Sequence, residues 1–208
     1  MGMQPLGTLG GTRSTAYAIN NAGQIVGSAT FAADQLFHPT LWWHAKVIDL
    51  GSLGDGSAVA YGINDAGQIV GSYGNSGSTG AFLYVDGAMS DIGTLGGVNP
   101  SYAVAYSINN AMEIVGYSMT PEGRAHGFLY TQGKLQDLGS FGFMDSSARG
   151  INDHGQIVGK VWPSGNNDSS AVLFFHGNGL LLLSGLLAAD AGWVLTNSLE
   201  KYHARWMY

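Results

Sequence analysis

The chain has 208 residues, of which 45% are hydrophobic and only 11% charged, and its formal net charge is −6. That balance supports a sizeable packed core and excludes the charge-rich, apolar-poor profile of a disordered chain; with only eight Lys and Arg there is no basic stripe, so no nucleic acid partner is expected. Without cysteine there is neither a disulfide nor a thiolate ligand, and no apolar run reaches the length of a membrane span.

The N-terminal residues Met1-Gly-Met-Gln-Pro-Leu carry neither the basic nor the apolar region of a signal peptide. They lead at once into a Leu-Gly-Thr-Leu-Gly element, residues 6–10, which reads as the end of a fourth strand without its first three. The chain is therefore expected to begin inside a repeat, with an upstream segment lost. A first strand rich in Ala and Tyr follows at 16–20 and ends in Ile-Asn, and its counterparts stand at 58–64, 103–109 and 147–152.

Each of these strands runs into one nonapeptide. It begins as Ile19-Asn-Asn-Ala-Gly-Gln-Ile-Val-Gly27 and recurs from Ile63, Ile108 and Ile151, at intervals of 44, 45 and 43 residues. Asn at the first turn position and Gly at a left-handed bulge position predict a type I turn closing a hairpin. Met112 stands where the other three copies have Gly. Second strands are then expected at 24–28, 68–72, 113–118 and 156–161, and aromatic third strands at 38–43, 80–85, 126–130 and 170–175. Turns at Ala45, Gly87, Gly133 and Gly177 lead to fourth strands, and the first three of these end in Leu-Gly-like elements at 50–54, 92–96 and 138–142.

Four short strands in about 40–45 residues is the size of a propeller blade. A lone blade cannot cover both faces of its sheet, so stacking around an axis must supply the core. The sequence thus predicts an all-β propeller and a single domain over 1–208, with units at 12–55, 56–97, 98–143 and 144–185. A degenerate fifth unit is expected from 186–208 plus 1–11, giving five blades. Its first strand is read at Trp193-Val-Leu-Thr-Asn-Ser198, pairing in one sheet with 4–10. An incomplete last blade would also offer an edge for a homo-oligomer.

The recurring segments resemble the HAF-type extracellular repeat family of bacterial proteins, whose units carry His-Ala-Phe-Leu-Trp, Asp-Leu-Gly-Thr-Leu-Gly-Gly and Ile-Asn-x-x-Gly-Gln-Val-Val-Gly. Here the first stands as His38-Pro-Thr-Leu-Trp42, Gly80-Ala-Phe-Leu-Tyr84 and His126-Gly-Phe-Leu-Tyr130. The second stands at 49–55, 91–97 and 137–143, and the third is the nonapeptide. The resemblance implies a secreted or cell-surface β-protein. It implies no reaction and transfers no catalytic residue. Departures are Met112, the missing leading His in units two and four, and the tail after Ser198.

Catalytic signatures are sparse. No Gly-x-Ser-x-Gly elbow, His-x-x-x-His pair or calcium loop occurs, and nothing calls for a metal or cofactor. His38 and His126 share a repeat position, where bonding to a neighbouring backbone carbonyl is the plainer reading and convergence on the axis the sharper one. Asp49, Asp91 and Asp137 also share one, two residues before a Gly, which suits carboxylates that accept turn amides better than a glycosidase pair. Trp42, Trp43, Tyr84, Tyr130, Phe174 and Phe175 are read first as packing between blades. Alternation turns one of Trp42 and Trp43 outward, where an aromatic near a loop end can stack on a sugar.

The expected function is accordingly a non-catalytic binding or scaffold propeller outside the cell, taking a glycan or protein ligand. Trp42, Trp43, Tyr84, Tyr130, His38 and His126 are its candidate ligand-binding residues. The alternative is a hydrolase or lyase acting on a saccharide or ester in the axial channel. Its candidate residues are those that break the repeat: Glu113, Asp145, Arg149, His154 and Lys160.

Overall fold

The structure, a computed structural model, describes residues 4–32, 36–75, 77–97, 102–162, 170–175 and 179–182. These form four four-stranded antiparallel sheets, each built from consecutive strands. The first contains β1 (Gly10–Ile19), β2 (Ile25–Phe31), β3 (His38–Trp43) and β4 (Lys46–Asp49). The second contains β5 (Ser57–Ile63), β6 (Ile69–Asn75), β7 (Ser78–Val85) and β8 (Ala88–Asp91). β9 (Ala103–Ile108), β10 (Ile114–Met119), β11 (Ala125–Thr131) and β12 (Lys134–Asp137) make the third. β13 (Asp145–Ile151), β14 (Ile157–Trp162), β15 (Ser170–Phe175) and β16 (Gly179–Leu182) make the fourth.

The sheets stack through their faces. β5 packs on β1, β2 and β3 of the preceding sheet, and β9 and β13 repeat that arrangement one unit on. Each apolar cluster is therefore shared by two neighbours: Val26, Leu50, Ala60, Ile63, Ile69 and Phe82 join the first sheet to the second. Val70, Leu83, Ala105, Ile114 and Phe128 join the second to the third, and Val115, Leu129, Ala148, Ile157 and Val172 the third to the fourth. Fully burying a side chain such as Phe82 stabilises by about 1.5–3 kcal/mol. The Gly that ends the nonapeptide lets neighbouring strands of one sheet fit closely, since a Cβ on Gly71 would overlap the Val59 carbonyl and the Phe82 ring, and one on Gly116 the Val104 carbonyl and the Phe128 ring.

Two boundaries differ from the sequence reading. The fourth strands stop at Asp49, Asp91 and Asp137, so the Leu-Gly elements lie in the connections between sheets. The cause is local: Asp49 Oδ1 accepts the Gly51 amide at 3.0 Å, and Gly51 and Gly54 take φ of 80° and 97°, which a strand cannot continue through. Likewise, residues 4–8 form no strand. Leu9 makes a parallel bridge to Phe31 and Gly7 accepts the Trp42 indole N–H at 3.3 Å, so the segment leads into β1 along its own sheet. Its expected partner, 193–198, lies outside the described residues, as does the turn at Gly177. No helix among the described residues is long and apolar enough to cross a membrane.

Candidate functional site

The site grows out of the repeated hairpin. In the first unit the Gly23 amide donates to the Asn20 carbonyl at 3.0 Å and Gly23 has φ 77°, which is the expected turn and bulge. The Asn20 side chain fixes it from within, its Oδ1 accepting the amides of Ala22 and Gln24 at 3.1 and 3.0 Å. One Nδ2 contact then goes to Gln24 Oε1 at 2.7 Å, and another crosses to the Asn64 carbonyl of the next unit at 3.0 Å. Asn64 repeats the crossing to the Asn109 carbonyl at 3.0 Å, and Asn109 to that of Asn152 at 3.1 Å. The hairpin is thus both a turn and a rung of a ladder between blades.

The next turn residue forms a second, solvent-exposed ladder. Asp65 Oδ1 accepts the Asn21 amide at 3.0 Å, and its Oδ2 accepts Nδ2 of Asn21 at 2.8 Å and of Asn110 at 3.1 Å. Asp153 takes the Asn110 amide at 2.8 Å and side chain at 2.9 Å. The Asn21 amide first, then the side chains of Asn21 and Asn110, hold the Asp65 carboxyl below the ordinary carboxylate range. These turns, with Ile19, Ile63, Ile108 and Ile151 beneath them, surround a cavity of about 250 Å³ where the four first strands meet.

Two residues before each of these isoleucines, the first strand of each sheet carries a side chain that touches its counterpart in the next unit. There stand Tyr17, Tyr61, Tyr106 and Arg149, at the bulge or register shift of β1, β5, β9 and β13. Their contacts are continuous: the Tyr17 and Tyr61 rings are 5.1 Å apart, Tyr61 and Tyr106 5.5 Å, and the Arg149 guanidinium lies 4.1 Å over the Tyr106 ring. Tyr117 of β10 stacks on Tyr106 at 5.9 Å, and Lys160 of β14 lies 4.5 Å from the Trp162 ring centre. Burial pushes the Tyr106 hydroxyl up to about 12, against the opposing pull of Arg149, so it remains a proton donor at any physiological pH. Burial first, and then the Arg149 charge, hold Lys160 below the ordinary lysine range. This series therefore offers aromatic faces, hydroxyls and two neighbouring cations beside the cavity's own lining of Ile, Asn and Asp.

The side chains singled out from sequence lie elsewhere. Trp42 is 4% exposed and packed, whereas Trp43 is 39% exposed and contacts the His44 ring at 4.5 Å. Tyr84 and Tyr130 are half-buried against the shared clusters. All sit on third strands, which stand roughly 10 Å out from the first strand of the same sheet at normal spacing. His38 and His126 stand on the third strands of the first and third sheets. The His126 ring meets both oxygens of Asp137 at 3.0 and 2.9 Å, and His38 lies 3.5 Å from Asp49. In the second unit Gly80 replaces the His, and the Tyr73 ring lies across it to hydrogen-bond Asp91. Each Asp also accepts the amide two residues on, at 3.0, 3.0 and 2.7 Å.

Among the repeat-breaking residues only Arg149 and Lys160 come together. Glu113 replaces the turn glutamine and accepts Asn109 Nδ2 at 2.7 Å. Asp145 accepts the Ala125 amide at 2.9 Å, and His154 is exposed on its turn. The tyrosines at positions 17, 61 and 106 were visible only as part of an Ala/Tyr-rich strand. Their fixed distance from the isoleucines, and the Arg at the fourth such position, were the available signal. The side chains of Phe174 and Phe175 lie outside the described structure.

Four-stranded antiparallel sheets, each presenting its first strand to a common axis, define a β-propeller-like fold. No family model matches the chain, and no curated protein matches it. It is similar to the crystal structure of TolB from Acinetobacter baumannii, with TM-score 0.63 and 13% identity over 82% of this chain and 43% of that one. It is also similar to the β-propeller domain of the Trilobed protease from Pyrococcus furiosus, which reveals an open velcro topology (TM-score 0.53, 11% identity, 90% of this chain and 54% of that one). The Pyrococcus horikoshii acylaminoacyl peptidase matches with TM-score 0.52 and 15% identity over 83% of this chain and 28% of that one. The chain spans about half or less of these proteins, and the likeness is one of fold.

Proposed function

We propose that this protein is a non-catalytic binding propeller that takes a glycan into its axial channel, through the mouth formed by Asn21, Asp65, Asn110 and Asp153. The observation that carries the reading is the unbroken series Tyr17–Tyr61–Tyr106–Arg149 across four first strands, with Tyr117 beside it. Aromatic faces with hydroxyl edges suit the apolar faces and hydroxyl groups of a sugar ring. No comparable cluster forms among Trp43, Tyr84 and Tyr130, which belong to third strands of separate sheets. The rest of the reading is a secreted or cell-surface member of the HAF-type repeat class. It has five blades, with a fifth unit from 186–208 covering the exposed β1 and the N-terminal residues at the seam.

A glycan panel probed with the full chain, followed by calorimetry on the best binder, tests this. Tyr61→Ala and Tyr106→Ala are expected to weaken binding by about tenfold or more each, while Trp43→Ala leaves it unchanged. Loss of binding in Trp43→Ala with both tyrosine variants unaffected would move the site to the loop ends.

A further inference from the structure

Resting on the axial reading above, we infer that the ligand is an acidic sugar, whose carboxylate is held by Arg149 and Lys160 while its ring lies against Tyr106 and Tyr61. In units one to three the position of Arg149 is a tyrosine, and that of Lys160 is Ser28, Ser72 or Tyr117. The fourth unit therefore replaces two neutral residues on one face with two cations. The whole chain has only eight Lys and Arg, and its net charge is −6, so placing two of them together is a concentration against the trend.

Among the described residues no carboxylate forms a salt bridge with either cation, and each lies beside a ring instead, Arg149 over Tyr106 at 4.1 Å and Lys160 by Trp162 at 4.5 Å. Arg149 is exposed and Lys160 half-buried; side by side their charges repel, and an anion between them would relieve that repulsion. Ser147 adds a further group. It pairs directly with Lys160 across the β13–β14 ladder, is 1% exposed, and its hydroxyl has no hydrogen-bond partner. A planar carboxylate matches the guanidinium fork, and the ring behind it matches the tyrosines. A small inorganic anion would use the first feature and leave the second idle.

The variants that test this restore the protein's own repeat, so folding is protected: Arg149→Tyr gives unit four the residue of units one to three, and Lys160→Ser that of units one and two. Calorimetry would compare trigalacturonate, its methyl ester, citrate and an Asp/Glu-rich peptide on the full chain and on both variants. Expected is trigalacturonate binding about ten- to a hundredfold tighter than the ester, with the ratio of the two affinities falling toward one in both variants. Equal affinity for acid and ester in the unaltered protein would overturn the inference and leave the binding function standing. Citrate or the peptide matching trigalacturonate would overturn the sugar assignment. Binding of none of the four would overturn the inference, and a glycan panel that is also blank would overturn the binding function with it.

Discussion

At the scale of single residues, the repeat's own exception gives the cleanest test of the hairpin. Gly23, Gly67 and Gly155 have φ between 72° and 79°, and Met112 holds the same place at 61°. A residue with a Cβ is strained there by about 1–2 kcal/mol, part of which is offset because glycine loses more chain entropy on folding. Met112→Gly is therefore expected to raise stability by about 1 kcal/mol, and Gly67→Met to lower it by a similar amount, in denaturant titrations. The space around Gly67 does not confuse the comparison, since the nearest group to a new Cβ is the Gln24 side-chain end at 3.5 Å. Asp65 supplies a second test. Its folded carboxyl titrates below its reference value of 3.8, so its contribution to stability is present above that pH and lost as pH falls through the folded value. In Asn21→Ala the backbone amide remains and the side-chain donor goes, so carbon NMR should show the Asp65 titration moving part of the way back up. An unmoved titration would mean that the Asn21 side chain does not hold that carboxylate in solution.

At the scale of strands and turns, alternation decides what a tryptophan does. Trp42 and Trp43 are adjacent on β3 and face opposite ways, one buried with its indole N–H on the Gly7 carbonyl, the other outward. Trp42→Ala is expected to cost roughly 3–5 kcal/mol in thermal or chemical denaturation, and Trp43→Ala less than about 0.5 kcal/mol. Comparable losses would put both in the core. This pair also shows what was legible beforehand. Strand positions, the turn after Ile-Asn and the outward Trp follow from local periodicity and turn chemistry, which are written in neighbouring residues. The Leu-Gly elements misled because a Leu-rich run has strand composition, while the Asp carboxylate that ends the strand acts through a side-chain hydrogen bond to Gly51. The tyrosine series was hidden for a different reason. Tyr17, Tyr61, Tyr106 and Arg149 are 40-odd residues apart, and only the stacking of sheets makes them neighbours.

At the scale of the whole molecule, the asparagine ladder raises the question of its own ends. Each rung runs from a side-chain amide to the carbonyl of the next unit, from Asn20 to Asn64, Asn109 and Asn152. Among the described residues no sheet packs on the open side of the first: Ile19 is 65% exposed where Ile63 is 9% and Ile108 is 7%, and Tyr17 is 51% exposed. A fifth unit would extend the ladder from Asn152 through its own asparagine and return it to the Asn20 carbonyl, burying Ile19 as it did so. The residue at that repeat position is Asn197, which follows Thr196 as Asn152 follows Ile151. Closure then makes Asn197→Ala resemble Asn64→Ala, each leaving buried turn amides unsatisfied at a cost of about 1–3 kcal/mol. It should also increase hydroxyl-radical labelling of Tyr17 toward that of an open edge, with Tyr61 labelling unchanged. If Asn197→Ala is neutral, Tyr17 is equally labelled in both proteins and light scattering gives a monomer, the fifth unit does not close the ring. If the same variant is neutral and the protein is a dimer with Tyr17 protected, a second copy covers β1 instead, and mixing excess Tyr17→Arg chain should fail to restore protection.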